Sequence, residues 1–371
     1  MVIQSLNSLI ERVMAEDARK YDLLADTRSM SVAVEERTRT TGAHEIVRDP
    51  AKLKEHDVLL SIDGRAGGLE TFRLSDHALG QMATDLGIPK RYFDRMKVDA
   101  PDLFQVNAHH WMAEEPSRRM IRAYTNDGST PSARAWLSDR YRRIDNIEIA
   151  KKLLPEFDRL STDVVFHNAS ISDEKFYLRA VFPKMEKEVK VGDPVQWGVQ
   201  IKNSEVGAGQ FSIDSFVMRL ACLNGLVVAK VMSARHVGKR LGEHLSDEAI
   251  RADDRAFWLA ARDELRNAIS ETQFETVVQT LRETTEGAII TAPIKATEKL
   301  ASEFSLSDEE KEAVLTQLAS NGDMSRWGAL NAITAAAQKV ESFDRRVEME
   351  EMGWSLATAS TREWERIAVA A

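Results

Sequence analysis

The sequence predicts an α+β fold: a predominantly antiparallel sheet built of hairpins, with flanking helices and a helical C-terminal region. Two patterns lead to this. The middle of the chain is a series of short runs in which apolar and polar residues alternate, joined by turns rich in glycine, proline and asparagine. From about Ser246 onward the apolar spacing changes to that of helices with clear start and stop signals. No internal repeat or low-complexity segment interrupts either pattern. The expected organisation is an N-terminal helix and arm over 1–50, an α+β core domain over 51–242 and a helical region over 243–371.

The elements follow in order. Ile3, Leu6, Ile10 and Met14 form one stripe of an N-terminal amphipathic helix. The polar "SMSVAVEERTRTTGAHEIVRDP" reads as a loop or arm. "DVLLSIDGRAGGLETFRLSD" reads as two strands around the turn Gly64 to Gly68. Ser75 is an N-cap for a helix with Leu79, Met82, Ala83 and Leu86 on one face, ended by Gly87. Pro89 opens a second helix. This pair has the outline of a helix-turn-helix, but Tyr92, Phe93 and Met96 give its second helix a buried character that a groove-reading helix lacks. "RRMIRAYTN" and "ARAWLS" form a hairpin, and a helix capped by Asp145 or Asn146 follows. "DVVFHNASIS" and "KFYLRAVFP" form the next hairpin.

Strands on either side of "NSEVGAG" complete the middle. Trp197, Val199 and Ile201 share a face. After the loop, Phe211 and Ile213 share one parity, and Phe216, Met218 and Leu220 the other. That shift predicts a bulge near Asp214-Ser215. Beyond it, a helix carries Ile250, Phe257, Ala261, Leu265 and Ile269 on one side. A second has a capping box from Ser307 to Glu310. A third aligns Trp327, Leu330, Ile333 and Ala337.

Composition narrows the class. The chain has 371 residues, 29% charged and 43% hydrophobic, as ordinary globular proteins do. It has no apolar run of the length that spans a bilayer. Glu11, Glu16 and Asp17 fall where a signal peptide would need an apolar core. One cysteine forms no internal disulfide and no cysteine-rich zinc site. The expectation is a cytoplasmic protein with no membrane association and no cofactor. The net charge of −9 argues against a uniformly basic surface. From Glu243 to Glu351 there are 23 acidic and 12 basic residues.

Several clusters invite a chemical reading. In the loop Asn203-Ser204-Glu205-Val206-Gly207-Ala208-Gly209, exposed polar groups on a rigid hairpin would make a site. The alternative, which the residue types favour, is a turn whose glycines supply positive φ and whose asparagine and serine bond their own backbone. On that reading Glu205 is replaceable by alanine with little effect. Cys222 reads as a small core residue of a strand. His109 and His110, with Glu114 and Glu115, could suggest a metal, but adjacent histidines on a strand point to opposite faces. No metal site is expected there. Asp173, Glu188 and Lys190 have the spacing of a metal-dependent nuclease site, in a stretch that otherwise reads as a polar hairpin end. No phosphate-cradling P-loop or nucleophile elbow is present, and no catalytic residue is assigned.

The arginines are the stronger lead. Arg118, Arg119, Arg122, Arg134, Arg140, Arg142 and Arg143 lie within 26 residues, opposed only by Asp127 and Asp139. Tyr124, Trp136 and Tyr141 are interleaved. Cations for phosphates and rings for bases are what a single-strand groove needs. Lys202 and the segment Arg235, His236, Lys239 and Arg240 extend the set. The competing expectation is that the arginines pair with the acidic helical region.

"YRRIDNIEIAKKLLP", "VGDPVQWGVQIKNSEVGAGQFSIDSFVMRLACLNGLVV", "ARHVGKR" and "WGALNAITAAA" together resemble the phage/plasmid-like family known as domain of unknown function 932. The resemblance runs from about Leu74 to about Gly353, with NSE-x-G and R-L-x-C-x-N-G its most specific motifs. It implies a protein of mobile elements, found near recombination genes. The run of hairpins before a helix also resembles, at the level of fold, single-strand annealing proteins of the Red-beta and Erf type. The expected function is single-stranded DNA binding as a homo-oligomer, with strand annealing in recombination. The alternatives are a metal-dependent nuclease and an interaction protein acting on host defence without DNA.

Overall fold

Two six-stranded sheets carry the chain. The computed structural model describes residues 2–3, 6–38, 54–63, 68–126, 128–160, 162–234 and 247–369. The chain begins with β1 (Val2–Ile3), α1 (Leu6–Arg19), β2 (Lys20–Asp26), a short 3-10 turn at Thr27–Ser29, β3 (Met30–Thr38), β4 (Lys54–Asp63) and β5 (Leu69–Leu74). Helices α2 (Asp76–Asp85), α3 (Lys90–Asp99) and α4 (Pro101–Glu114) follow, then β6 (Arg118–Asn126) and β7 (Ser129–Ser138). After α5 (Asn146–Lys152) and α6 (Leu154–Asp158) comes a meander: β8 (Val165–Ile171), β9 (Phe176–Lys190), β10 (Asp193–Asn203), β11 (Phe211–Arg219) and β12 (Asn224–Ala234). The rest is helical: α7 (Asp247–Ala268), α8 (Glu271–Glu283), α9 (Pro293–Phe304), α10 (Asp308–Asn321), α11 (Arg326–Ala337), α12 (Phe343–Ala357) and α13 (Thr361–Ala368). The expected α+β class and helical C-terminal region are what the structure has.

The N-terminal sheet has the order β2-β6-β7-β5-β4-β3 and is antiparallel except for the β5–β7 pair. Helices α2 to α4 cover it, and Val58, Leu60, Phe72, Leu79, Met82, Phe93, Phe104 and Trp136 form its core. The Ser75 hydroxyl accepts a hydrogen bond from Ala78 N at 3.1 Å, which starts α2 as its sequence predicts. Phe93 and Met96 are buried, so α3 packs inward, while Tyr92 is on the surface.

The expected N-terminal arm is corrected here. Residues 20–38 form β2 and the edge strand β3 of the N-terminal sheet, and β1 pairs with β8 in the other sheet. The polar appearance of β3 follows from its position at the sheet edge, where one face and one side meet solvent. Residues 39–50, residues 64–67 of the expected glycine-rich turn and residues 235–246 lie outside the described residues.

The central sheet, β1-β8-β9-β10-β11-β12, is antiparallel throughout. Phe176, Leu178, Phe182, Trp197, Val199, Ile201, Phe211 and Ile213 on one face join the main core, which includes residues of α1 and α5 to α8. On the other face Val181, Phe216, Met218 and Val227 meet Val347 of α12. Burial on both faces explains the apolar parity shift in β11, whose own alternation is regular. The ladder irregularities do fall at Ile213/Asp214 and Ser215/Phe216, as expected, but the extra residues, Val228 and Val231, belong to β12.

One close approach depends on a missing side chain. A Cβ on Gly198 would lie 2.5 Å from the Phe216 ring and 2.8 Å from the Ala180 carbonyl oxygen. Gly198→Ala is expected to cost about 1–3 kcal/mol by overpacking. Urea unfolding checks this, and an unchanged midpoint would contradict the β9–β10–β11 packing described.

Candidate functional site

The loop after β10 is buried, not exposed. Asn203, Ser204 and Glu205 are each 3% exposed or less, and they join the central sheet to the N-terminal sheet. Glu205 Oε1 accepts from Lys20 Nζ at 2.7 Å and from Asn146 N at 2.8 Å. Its Oε2 accepts from Arg134 at 3.2 Å, and its carbonyl oxygen from Arg122 at 2.9 Å. Asn203 Nδ2 donates to the Ile144 carbonyl and to Asn146 Oδ1, both at 2.8 Å. Val206 O accepts from Gln81 of α2 at 2.7 Å and meets His77 Nε2 at 2.9 Å. Tyr141 OH donates to Ser204 O. Ser204 Oγ accepts from Ala208 N, and Gly207 takes φ +78°, so the turn chemistry expected of this loop is also present.

Burial alone would raise the Glu205 pKa. The charges of Lys20, Arg122 and Arg134 outweigh it and hold the carboxyl down at about 2. Lys20 shifts the opposite way and is raised: burial lowers it, and Glu205 and Asp145 overcome that. Arg122 completes the balance by pairing with Asp22 at 2.9 Å and Asp145 at 2.6 Å.

This arrangement accounts for most of the arginine cluster. Arg122 and Arg134 are buried and bound inside the fold; Arg134 also donates to the Asp173 carbonyl. Trp136 is buried, and its indole donates to Asp85 at 2.9 Å. Arg119 pairs with the same Asp85. Tyr141 is half-buried against Ser204, and burial raises its pKa. The expectation that Arg122, Arg134 and Trp136 meet a strand is therefore corrected: all three side chains are buried and bound to partners inside the fold. Arg143 pairs with Asp22 at 3.1 Å. Arg142 is the member that pairs with the acidic helices, through Asp253 and Asp254 of α7. Arg118 and Arg140 lie on the surface. Lys202 is bound to Asp214 at 2.9 Å. Arg235, His236, Lys239 and Arg240 lie outside the described residues.

The remaining candidates separate. Asp173 precedes β9 and Glu188 lies near its far end, roughly 40 Å along the strand at about 3.3 Å per residue. Lys190 pairs with Asp323 at 2.6 Å. The nuclease constellation is not brought together. His109 and His110 are in α4, not on a strand; His109 Nε2 accepts from Val32 N at 2.9 Å. Cys222 is exposed in the turn between β11 and β12, not in the core. Among the described residues no group of three or more His, Cys, Asp or Glu is placed to hold a metal, and no helix is long and apolar enough to cross a membrane.

The solvent-facing concentration of charge lies elsewhere, in a cleft of about 450 Å³ between α5–α6 and α7. Lys151, Lys152, Arg159, Arg255 and Arg262 line it, with Pro155, Trp258 and Leu259 as apolar walls. Its one acid, Glu156, is buried and already paired with Arg159 at 2.6 Å and with Arg266. Among the described residues, Lys151, Arg255 and Arg262 have no ion-pair partner, and Arg262 Nε is buried with no hydrogen bond. At 3.6 residues per turn, Arg251, Arg255, Arg262 and Arg266 fall within about 60° of one another on α7, over about 22 Å. Sequence reasoning missed this stripe because it summed charge over a strongly acidic region. Testing the arginines of α7 for helical spacing would have found it.

The buried polar clasp that Glu205 and Asn203 make between the two sheets also places the cleft. Glu205 and Asn203 hold the backbone that launches α5, while Arg142 grips the second turn of α7 at Asp253 and Asp254. The two walls are thus tied to the short segment 142–146.

A two-sheet α+β protein with a polar clasp between the sheets and a cationic cleft beside it is the class defined. Residues 134–365 match the family described as domain of unknown function DUF932. That is more than half of the chain, which belongs to this family. The match begins within β7, so the earlier part of the N-terminal sheet lies before it. Neither the curated proteins nor the solved structures contain a match for the chain.

Glu205→Gln keeps the shape and removes the charge, leaving Lys20 and Arg134 buried without it. A loss of about 3–5 kcal/mol at neutral pH is expected in urea unfolding. The carboxyl's folded pKa is depressed, so its contribution is full above the ordinary value of 4.5 and is lost as pH falls toward 2. The gap between variant and wild type should narrow over that window. Equal midpoints at pH 7 would contradict the clasp.

Proposed function

We propose that this protein binds single-stranded nucleic acid through the cleft between α5–α6 and α7. The observation that carries the reading is a set of three cations without an ion-pair partner among the described residues: Arg255 and Arg262, on an arginine stripe that runs along α7 past Trp258 and Leu259, and Lys151, facing them from α5. Phosphates are the ligand such a stripe fits: guanidinium forks match their oxygens, and released counterions drive the association. Apolar walls beside the cations suit bases that are not paired, which favours a single strand over a duplex.

The cleft belongs to one subunit and holds few nucleotides, so a long strand would engage several copies. Self-association on the strand, and annealing of two coated strands, extend the proposal in the direction that the mobile-element setting of the resemblance implies. The residues expected for nuclease chemistry, Asp173, Glu188 and Lys190, are not gathered.

Salt dependence tests the reading. Each lost phosphate contact on a single strand reduces the slope of log K against log salt by about 0.7. Arg255→Gln with Arg262→Gln should therefore flatten it by about 1.4, measured by fluorescence anisotropy with a labelled oligonucleotide. A folded double variant with wild-type affinity and slope would overturn the proposal. Light scattering with protein in excess over a long strand should give a mass of several chains per strand; no more than one chain per strand throughout would remove the assembly.

A further inference from the structure

The cleft contains an aromatic ring under a movable charge. Lys152 Nζ lies 5.6 Å from the centre of the Trp258 ring and 2.8 Å from Glu148. The ring is supported from the core by edge contacts, with centroids 5.1 Å from Phe257 and 6.1 Å from Phe211. It is 6% exposed, with the lysine over it, while Leu259 beside it is 42% exposed. Pro155 completes an apolar wall.

Resting on the reading of the cleft as a strand-binding site, we propose that Trp258 is a base-stacking subsite. Lys152 occupies the place of the base in the free protein. The contact it makes is a cation–π interaction from a lysine whose side chain is 40% exposed, weaker than base stacking. Lysine sits on a flexible four-carbon stem at the last turn of α5 and swings with little strain. When a base enters, it takes the ring, with Pro155 and Leu259 at its edges, and the ammonium moves to a phosphate of the same strand. The displacement thus gives up the ring contact and the partly exposed Glu148 pair and gains a stacked base and a phosphate. No hydrogen-bonding group is required to read the base, so the subsite is indifferent to sequence but sensitive to whether a base is present.

The test compares two labelled strands of equal length, one of thymidines and one abasic, which carry the same phosphates. Wild-type protein should bind the abasic strand about tenfold more weakly, with the same salt slope. Trp258→Leu should lose about tenfold for the thymidine strand and little for the abasic one. Lys152→Gln should lower the salt slope by about 0.7 for both strands and keep the preference for bases. Equal, salt-dependent binding of both strands by the wild type would overturn the subsite while leaving phosphate recognition intact, and this comparison needs no variant to fold. A folded Trp258→Leu that keeps the preference would also overturn it. Binding of neither strand would instead bring down the strand-binding reading on which it rests.

Discussion

A carboxylate taken out of water must be met by charge, and the Glu205 side chain is 2% exposed. Lys20 comes from β2, Arg134 from β7 and Arg122 from β6, so the N-terminal sheet supplies the cations while the loop of the central sheet supplies the acid. Asp22 and Asp145 then balance Arg122. Each buried charge is tolerable only with its partners present, so the two sheets have one compatible docking. Such networks contribute modestly to net stability compared with an apolar substitute, but a missing partner is costly. The clasp thus fixes how the sheets meet more than how strongly they hold.

The same logic extends along the other motifs that carry the family resemblance. Arg219 pairs with Asp193 at 2.7 and 2.9 Å, and Asp193 accepts from the Trp327 indole at 2.8 Å. Asn224 donates to Thr334, and Gly225 lies where a Cβ would come within 3.0 Å of both Arg179 and Glu350. Arg179 and Glu350 are a buried pair between β9 and α12. The polar and glycine residues of "RLACLNG" and "WGALNAITAAA" therefore stitch α11 and α12 onto the central sheet. Motifs that look like chemistry in one dimension are joints in three, and the solvent-facing charge lies on α7, between them.

Much of this fold is legible in the chain. The hairpins, the Ser75 and Ser307 caps, and the helical C-terminal region follow from local rules that need no distant partner. What is not legible depends on such partners. Glu205 and Lys20 are 185 residues apart, and nothing near either marks the pair. The strand β3 is polar because it is an edge. The parity of β11 looks shifted because helices cover both faces of its sheet. The seven arginines of 118–143 are conspicuous by density, yet the acids that neutralise five of them, Asp22, Asp85, Asp145, Glu205 and Asp253, are scattered through the sequence. The α7 stripe has the reverse problem: its regular spacing is hidden in a region of negative sum.

The central claim is that the polar loop of residues 203–209 is architecture and the arginine face of α7 is the binding surface. Photocrosslinking of the intact protein to a single strand carrying photoreactive pyrimidines, with the attached peptides mapped by mass spectrometry, tests it most directly. The account predicts attachment within residues 151–159 and 251–266 and none within 203–209. Attachment to the 203–209 loop or to the buried hairpin around Arg122 and Trp136, with 251–266 unmodified, would contradict it.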